Sequence, residues 1–177
     1  MDPFATLGLA RRYDLDKTEL ERRYRDLQQA LHPDKHASAP SSQRTMTLSK
    51  AVEVNEAYRV LRDDSKRAEA LLAALGGASP KSEREVVPQA LLMDMMELRE
   101  ALAEARAARN APAVARLAEQ VGARAHEVRA ALVAAFETLA VERAPEVLAS
   151  TQALVSRLRY YRRFLDEVAA FEDEALA

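Results

Sequence analysis

Three side chains able to ligate a metal or move a proton fall within five consecutive residues: His32, Asp34 and His36, in an H-x-D-x-H spacing. A metal reading needs a third or fourth ligand from elsewhere in the fold. The remaining histidine, His126, lies far along the chain on what reads as a solvated helix face. The chain has no cysteine, which removes thiolate ligands, cysteine nucleophiles and disulfides together. Its serines and carboxylates stand without a nucleophile elbow, a phosphate-cradling glycine loop or a paired-carboxylate motif. Gly76-Gly77 has no Lys-Ser/Thr behind it. This residue chemistry predicts neither an enzyme nor a metal or cofactor site.

Taken alone, His32-Pro33-Asp34-Lys35 reads most simply as an ordinary connection between two helices, with residues that would also suit recognition. Pro33 fixes one backbone dihedral and restricts His32 to extended conformations, so the loop is shaped before it meets a partner. Asp34 supplies a fixed acceptor for a partner's guanidinium. Arg22 and Arg25 project from one side of the preceding helix, away from its apolar stripe, and Lys35 continues the positive patch. A run such as Arg22, Arg23 and Arg25 is by itself most simply a solvated helix face; the adjacent loop favours docking. Residues 1–76 hold 13 Lys and Arg against 12 Asp and Glu, so this positive feature is local.

The elements that must carry these residues are helices. Of 177 residues, 49% are hydrophobic, only 4 are Gly, and no stretch alternates long enough to read as a strand, which predicts an all-α chain. The net charge of −2 gives no global attraction for nucleic acid or an anionic membrane. No apolar run approaches the roughly 20 residues that span a bilayer. Asp2 before Pro3 predicts a short first helix. Asp16 with Glu19 resembles a capping box opening a second, whose stripe is Leu20, Tyr24, Leu27 and Leu31 and which Pro33 ends. A polar stretch, Ser38 to Gln43, precedes a third helix with buried Leu48, Ala51, Val54 or Asn55, Tyr58 and Leu61. Asp63 or Asp64 caps a fourth, Ser65 to Leu75, stopped by Gly76-Gly77.

Residues 77–87 have no periodicity and read as a linker in which Lys81, Glu83 and Arg84 serve only solubility. Beyond it, Leu91, Met95, Leu98 and Leu102 form one seam, broken at Asn110-Ala111-Pro112. Val114, Leu117, Val121, Ala125, Val128, Leu132, Ala135 and Leu139 form the next, and Val147, Thr151, Leu154, Leu158, Tyr161, Leu165 and Val168 the last. Three seams predict an antiparallel three-helix bundle over 88–177, following a separate helical unit over 1–76. On a helical wheel, Leu92 and Met96 fall about 90–130° from the first seam, with Met93 further round. Tyr160 and Phe164 are expected to flank, and not join, the last seam. These surplus apolar residues predict an exposed binding patch.

Tyr24-Arg25, His32-Pro33-Asp34-Lys35, Asn55-Glu56-Ala57-Tyr58-Arg59-Val60-Leu61 and Lys66-Arg67-Ala68, in that order, resemble the J-domain of DnaJ-type co-chaperones across residues 2–76. Met1-Asp2-Pro3-Phe4, Leu7-Gly8-Leu9 and Arg12-Tyr13-Asp14-Leu15-Asp16 are similar to the start of the HscB family, the J-type co-chaperones of iron–sulfur cluster assembly. Arg67-Ala68-Glu69-Ala70-Leu71-Leu72, Leu92-Met93-Asp94-Met95-Met96-Glu97-Leu98-Arg99-Glu100 and Leu158-Arg159-Tyr160 extend the likeness over nearly the whole chain. The chain departs from that family at Met96, where Leu is usual, and at Tyr160, where Phe is usual. Asp26 also follows Arg25 where many J-domains keep a basic residue.

The resemblance implies a non-enzymatic co-chaperone without a cofactor of its own. Arg22, Arg25, His32, Pro33, Asp34 and Lys35 would bind a DnaK/HscA-class chaperone and stimulate its ATPase. Leu92, Met93, Met96 and Tyr160, with Glu97 and Glu100 as polar contacts, would bind the iron–sulfur scaffold protein IscU. A helical adaptor recruiting chaperone to a different client is the alternative, and a metal-dependent enzyme using H-x-D-x-H a more remote one. With no transit peptide in view, a bacterial cytoplasm is expected, with neither nucleic acid nor membrane as partner.

Overall fold

The computed structural model describes residues 1–36, 40–77 and 87–176, and the chain divides into two units, Met1–Gly76 and Gly77–Ala177. The described residues contain helices and no strands. Of the linker expected over 77–87, residues 78–86 lie outside the described residues.

The first unit comprises α1 (Pro3–Leu7), α2 (Lys17–Ala30), a 3₁₀ turn (Pro33–His36), α3 (Ser41–Arg62) and α4 (Asp64–Ala74). Aspartates open three of these helices. Asp2 accepts from the amides of Phe4 and Ala5, Asp16 from Thr18 and Glu19, and Asp63 from Ser65 and Lys66, each satisfying N–H groups that the helix itself leaves unpaired. Gly8 ends α1 at φ +64°, a left-handed conformation that a Cβ would strain. The polar segment expected before α3 is partly inside it, since α3 starts at Ser41. Thr45 and Thr47 turn their hydroxyls back onto the carbonyls of Ser41 and Gln43, so the polar side chains do not compete with the helix.

Phe4 and Leu7 of α1 and Leu71 and Leu72 of α4 are buried with Leu20, Val54, Ala57 and Leu61. All the buried side chains of α2 and α3 lie in the halves remote from the 31–40 connection. Midway along the hairpin the Tyr24 and Tyr58 rings stack with centroids 4.0 Å apart. The Tyr24 hydroxyl donates to Asn55 Oδ1 at 2.9 Å, and the Gln28 amide donates to the same oxygen. Nearer the connection, Leu27 and Leu31 are half-buried. Leu48, expected in the α3 core stripe, is 64% exposed; the core formed with α1 and α4 stops short of that end.

A buried arginine closes the unit. Arg67, 6% exposed, donates to the carbonyls of Tyr13 at 2.8 Å and Leu61 at 2.6 Å and pairs with Asp64 at 2.6 Å. Its guanidinium also lies over the Tyr13 ring at 5.0 Å.

The second unit is a bundle of α5 (Gln89–Ala107), α6 (Ala111–Val141) and α7 (Pro145–Leu176). Asn110 caps α6 by accepting from the Ala113 amide, and Pro112 sits in the first turn, where its missing N–H costs nothing. The α5 seam is buried as expected at Leu91, Met95, Leu98 and Leu102. On α6, Phe136 is buried, while Leu117 and Ala135 are half-buried. On α7, Val155 and Phe164 are buried beside Thr151, Leu158, Tyr161 and Val168, whereas Val147, Leu154 and Leu165 are half-buried. Phe164 is thus core, 0% exposed, contrary to the expectation that it flanks the seam. Two causes account for this: a strict seven-residue seam drifts around a straight helix, and α7 is packed by both α5 and α6, so its buried face is wide.

Candidate functional site

The recognition loop grows out of the end of α2. The Leu31 amide makes the last helical bond, to Leu27 O at 2.9 Å, and Pro33 then starts the 3₁₀ turn, closed by the Lys35 amide donating to His32 O at 3.0 Å. His32 Nδ1 accepts from the Asp34 amide at 3.3 Å and lies 3.5 Å from Asp34 Oδ2. Both side chains face solvent, Asp34 at 90% exposure. Lys35 and Pro33 are also exposed. His36 belongs to the same turn, but its side chain lies outside the described residues, and His126 is exposed on α6. Among the described residues no cluster of three His, Asp or Glu has the arrangement to hold a metal ion. Leu31, Pro33, Leu48 and Ala51, with Gln28 and Arg44, line a largely apolar groove of 390 Å³ beside His32.

Arg22 and Arg25 are exposed on α2, yet neither is a bare charge. Arg22 bridges Glu19 at 2.7 Å and Asp26 at 3.1 Å, and Arg25 pairs with Glu21 at 2.9 Å. The surface therefore offers exchangeable arginines: solvent screens exposed pairs of this kind, and a partner carboxylate can displace them. Glu19, although a member of the expected capping box, spends its carboxylate on Arg22 and Arg23. Those two guanidiniums hold it down to about 2, from an ordinary 4.5. A depressed carboxyl contributes stability above its ordinary value and loses it as pH falls through the folded one. Carboxyl-carbon NMR is expected to place Glu19 near 2 in the wild type, and Arg22→Gln with Arg23→Gln to return it toward 4.5.

The second candidate surface is on the bundle. Leu92 is 40%, Met93 55% and Met96 70% exposed, and Glu97 and Glu100 share the solvent side of α5. Arg99 pairs with Glu167 of α7 at 2.8 Å, and Arg106 lies over the Phe171 ring at 4.5 Å, so α5 and α7 run in the same direction. Seven residues before the first pair come Leu92 on one helix and Tyr160 on the other, which places both at one level of the bundle. Tyr160 is half-buried, with the Arg159 guanidinium 5.6 Å from its ring centre. The candidate apolar residues thus come from two helices at one level of the bundle. The ion pair and the cation–π contact between these helices depend on register and are not readable from sequence.

Both units match known families. Residues 2–70 match the DnaJ domain, and residues 87–169 match the HSCB C-terminal oligomerisation domain. A co-chaperone HscB homologue of Aromatoleum aromaticum is 37% identical over 127 residues, 72% of each chain. One from Ralstonia nicotianae is 39% identical over 105 residues, 59% of this chain and 60% of the relative. The structure of chaperone HscB from Vibrio cholerae superposes with a TM-score of 0.77 at 31% identity, covering 99% of both chains. That of human co-chaperone protein HscB gives 0.84 at 23% identity over 97% of this chain and 82% of the other, a likeness of fold. Among the described residues, no helix is long and apolar enough to cross a membrane. With a J-domain ahead of an HscB-type bundle and relatives of this identity, the chain belongs to the HscB family of co-chaperones, which serve iron–sulfur cluster assembly and are not themselves enzymes.

Proposed function

We propose that the unit over 1–76 stimulates the ATPase of a DnaK/HscA-class chaperone and that the bundle over 88–177 presents the scaffold protein IscU to it. Arg22, Arg25, His32, Pro33, Asp34 and Lys35 form the chaperone-facing surface in this reading; Leu92, Met93, Met96, Glu97, Glu100 and Tyr160 form the scaffold-facing one. A bacterial cytoplasm is its setting, in keeping with the bacterial relatives. The observation that carries it is the exposed stripe of Leu92, Met93 and Met96 on a helix whose opposite face is already buried in its own bundle. That much solvent-facing apolar area on one helix marks an interaction site, and methionine suits a surface that must adapt to its partner. Carrying both sites on one chain raises the client's effective concentration at the chaperone.

Single-turnover ATP hydrolysis by an HscA-class chaperone tests it. Wild type is expected to stimulate, and IscU to enhance that stimulation. The Leu92→Ala plus Met96→Ala variant is expected to keep the basal stimulation while IscU affinity falls by roughly tenfold or more. Enhancement undiminished in that variant rejects the bundle site. Stimulation that ignores IscU altogether points to the alternative, an adaptor for a different client.

A further inference from the structure

Near the start of α5 the chain reads Leu91-Leu92-Met93-Asp94-Met95-Met96-Glu97-Leu98, with six apolar residues in eight. Such a segment has two faces able to enter a core. One, through Leu91, Met95 and Leu98, is buried; the other, through Leu92 and Met96, faces solvent. Over these turns the transfer energies of Leu91 and Met95 are closely matched by those of Leu92 and Met96, so the apolar preference for the observed face comes from Leu98 and, further along, Leu102.

The charged residues that flank the buried seam act in the same direction. Asp94 pairs bidentately with Arg124 of α6, at 2.8 and 3.0 Å, and Arg99 pairs with Glu167 of α7 at 2.8 Å. At about 100° per residue, Asp94 lies roughly 60° to one side of the buried seam and Arg99 roughly 80° to the other. Turning the helix to bury Leu92 and Met96 would carry Asp94 away from α6. It would also bring Arg99 into the seam, where an unpaired guanidinium is strongly disfavoured. Arg124 is half-buried and its acidity is lowered further by the Asp94 carboxylate, as a well-made pair requires. We propose that the Asp94–Arg124 and Arg99–Glu167 pairs fix the rotation of α5, making these four positioning residues for the exposed Leu92–Met96 face. Assigning that face to IscU rests on the function proposed above; the rotational selection does not.

Adjacent methionines report the rotation without any partner. Met95 is 2% exposed, between Met93 at 55% and Met96 at 70%. Under brief peroxide treatment, the full-length wild type is expected to form sulfoxide at Met93 and Met96 well before Met95. In Asp94→Leu/Arg99→Leu, which removes both charged flanks, the ratio of Met96 to Met95 oxidation is expected to fall toward unity while helical content is retained. A ratio unchanged from wild type overturns the proposal. Should that variant lose its cooperative melt, the charge exchange decides. Asp94→Arg alone must lower the ratio and Asp94→Arg with Arg124→Asp must restore it; absence of that rescue also overturns the proposal. IscU binding, measured on the same proteins, separates the two ideas: a rotated α5 that binds IscU as wild type does leaves the selection standing and rejects the scaffold-facing patch.

Discussion

Asp34→Asn is expected to weaken stimulation of the partner ATPase by roughly 10- to 100-fold at sub-saturating co-chaperone, with the melting temperature of the protein unchanged. The two halves of that expectation have one cause. The Asp34 carboxylate is 90% exposed and lies 3.5 Å from His32 Nδ1, so the fold gains little from its charge. In the docking proposed above, the same carboxylate would be desolvated against a partner guanidinium and would make a charge-assisted hydrogen bond, worth about 1.5–3 kcal/mol. Asparagine keeps the shape and one acceptor oxygen and loses the charge. The backbone shape of the loop, held by Pro33 and by the Lys35 amide on His32 O, is retained. Titrating co-chaperone into a single-turnover assay separates the outcomes. A raised half-point with the same maximal rate shows that the charge serves docking, whereas a wild-type curve shows that Asp34 makes no ionic contact.

Arg67→Ala is expected to act in the opposite way, removing the first unit's stability and its activity together. Arg67 donates to two backbone carbonyls, Tyr13 O and Leu61 O, and to Asp64, tying the loop before α2, the end of α3 and the start of α4 at one point. Alanine leaves those acceptors short of donors in a buried site and opens a void under the Tyr13 ring, a loss of about 3–5 kcal/mol. For a domain of this size each kcal/mol moves the midpoint by roughly 4–8 °C, so a drop on the order of 15 °C or more is expected. Arg67→Lys keeps the charge and cannot reproduce three donors in a planar fork, so it should recover only part of the loss. Thermal melts followed by circular dichroism check both; a shift under about 3 °C for the alanine variant would show that water replaces the guanidinium.

Local signals carried much of the fold. Aspartates placed before Pro3, Lys17 and Asp64 mark three helix starts because a short acceptor at the N-cap has a specific local use, needing no tertiary partner. The α5 seam was legible for a similar reason: one narrow stripe against one groove follows simple periodicity. Leu48 shows the limit of that reasoning, for an apolar stripe states which face of α3 prefers burial and not whether any element reaches it. Phe164 shows the converse, a residue drawn into the core by a second helix packing on α7. The exposed Leu92 and Met96 could be read from the wheel. Their fixed presentation could not, because Asp94 meets Arg124 and Arg99 meets Glu167 only once the three helices are in register. Arg67 was hidden in a different way: in Asp63-Asp64-Ser65-Lys66-Arg67 it looks like one more solvated charge at the polar start of a helix.

The α2–α3 hairpin is mechanically a cantilever. It is clamped at one end by the core around Leu20, Val54, Ala57 and Leu61 and braced midway by the Tyr24–Tyr58 stack, while His32 follows the far end, roughly 18 Å along α2 from Leu20. Local stability decreases along such a beam, since the helical turns beyond the tyrosine brace have backbone hydrogen bonds and half-buried side chains but no core to close on. Amides there are expected to exchange through small openings that leave the clamped end intact. The surface offered around His32 can consequently be reshaped at a smaller free-energy cost than the clamped end. A partner that grips it can bend the free end without loosening the root.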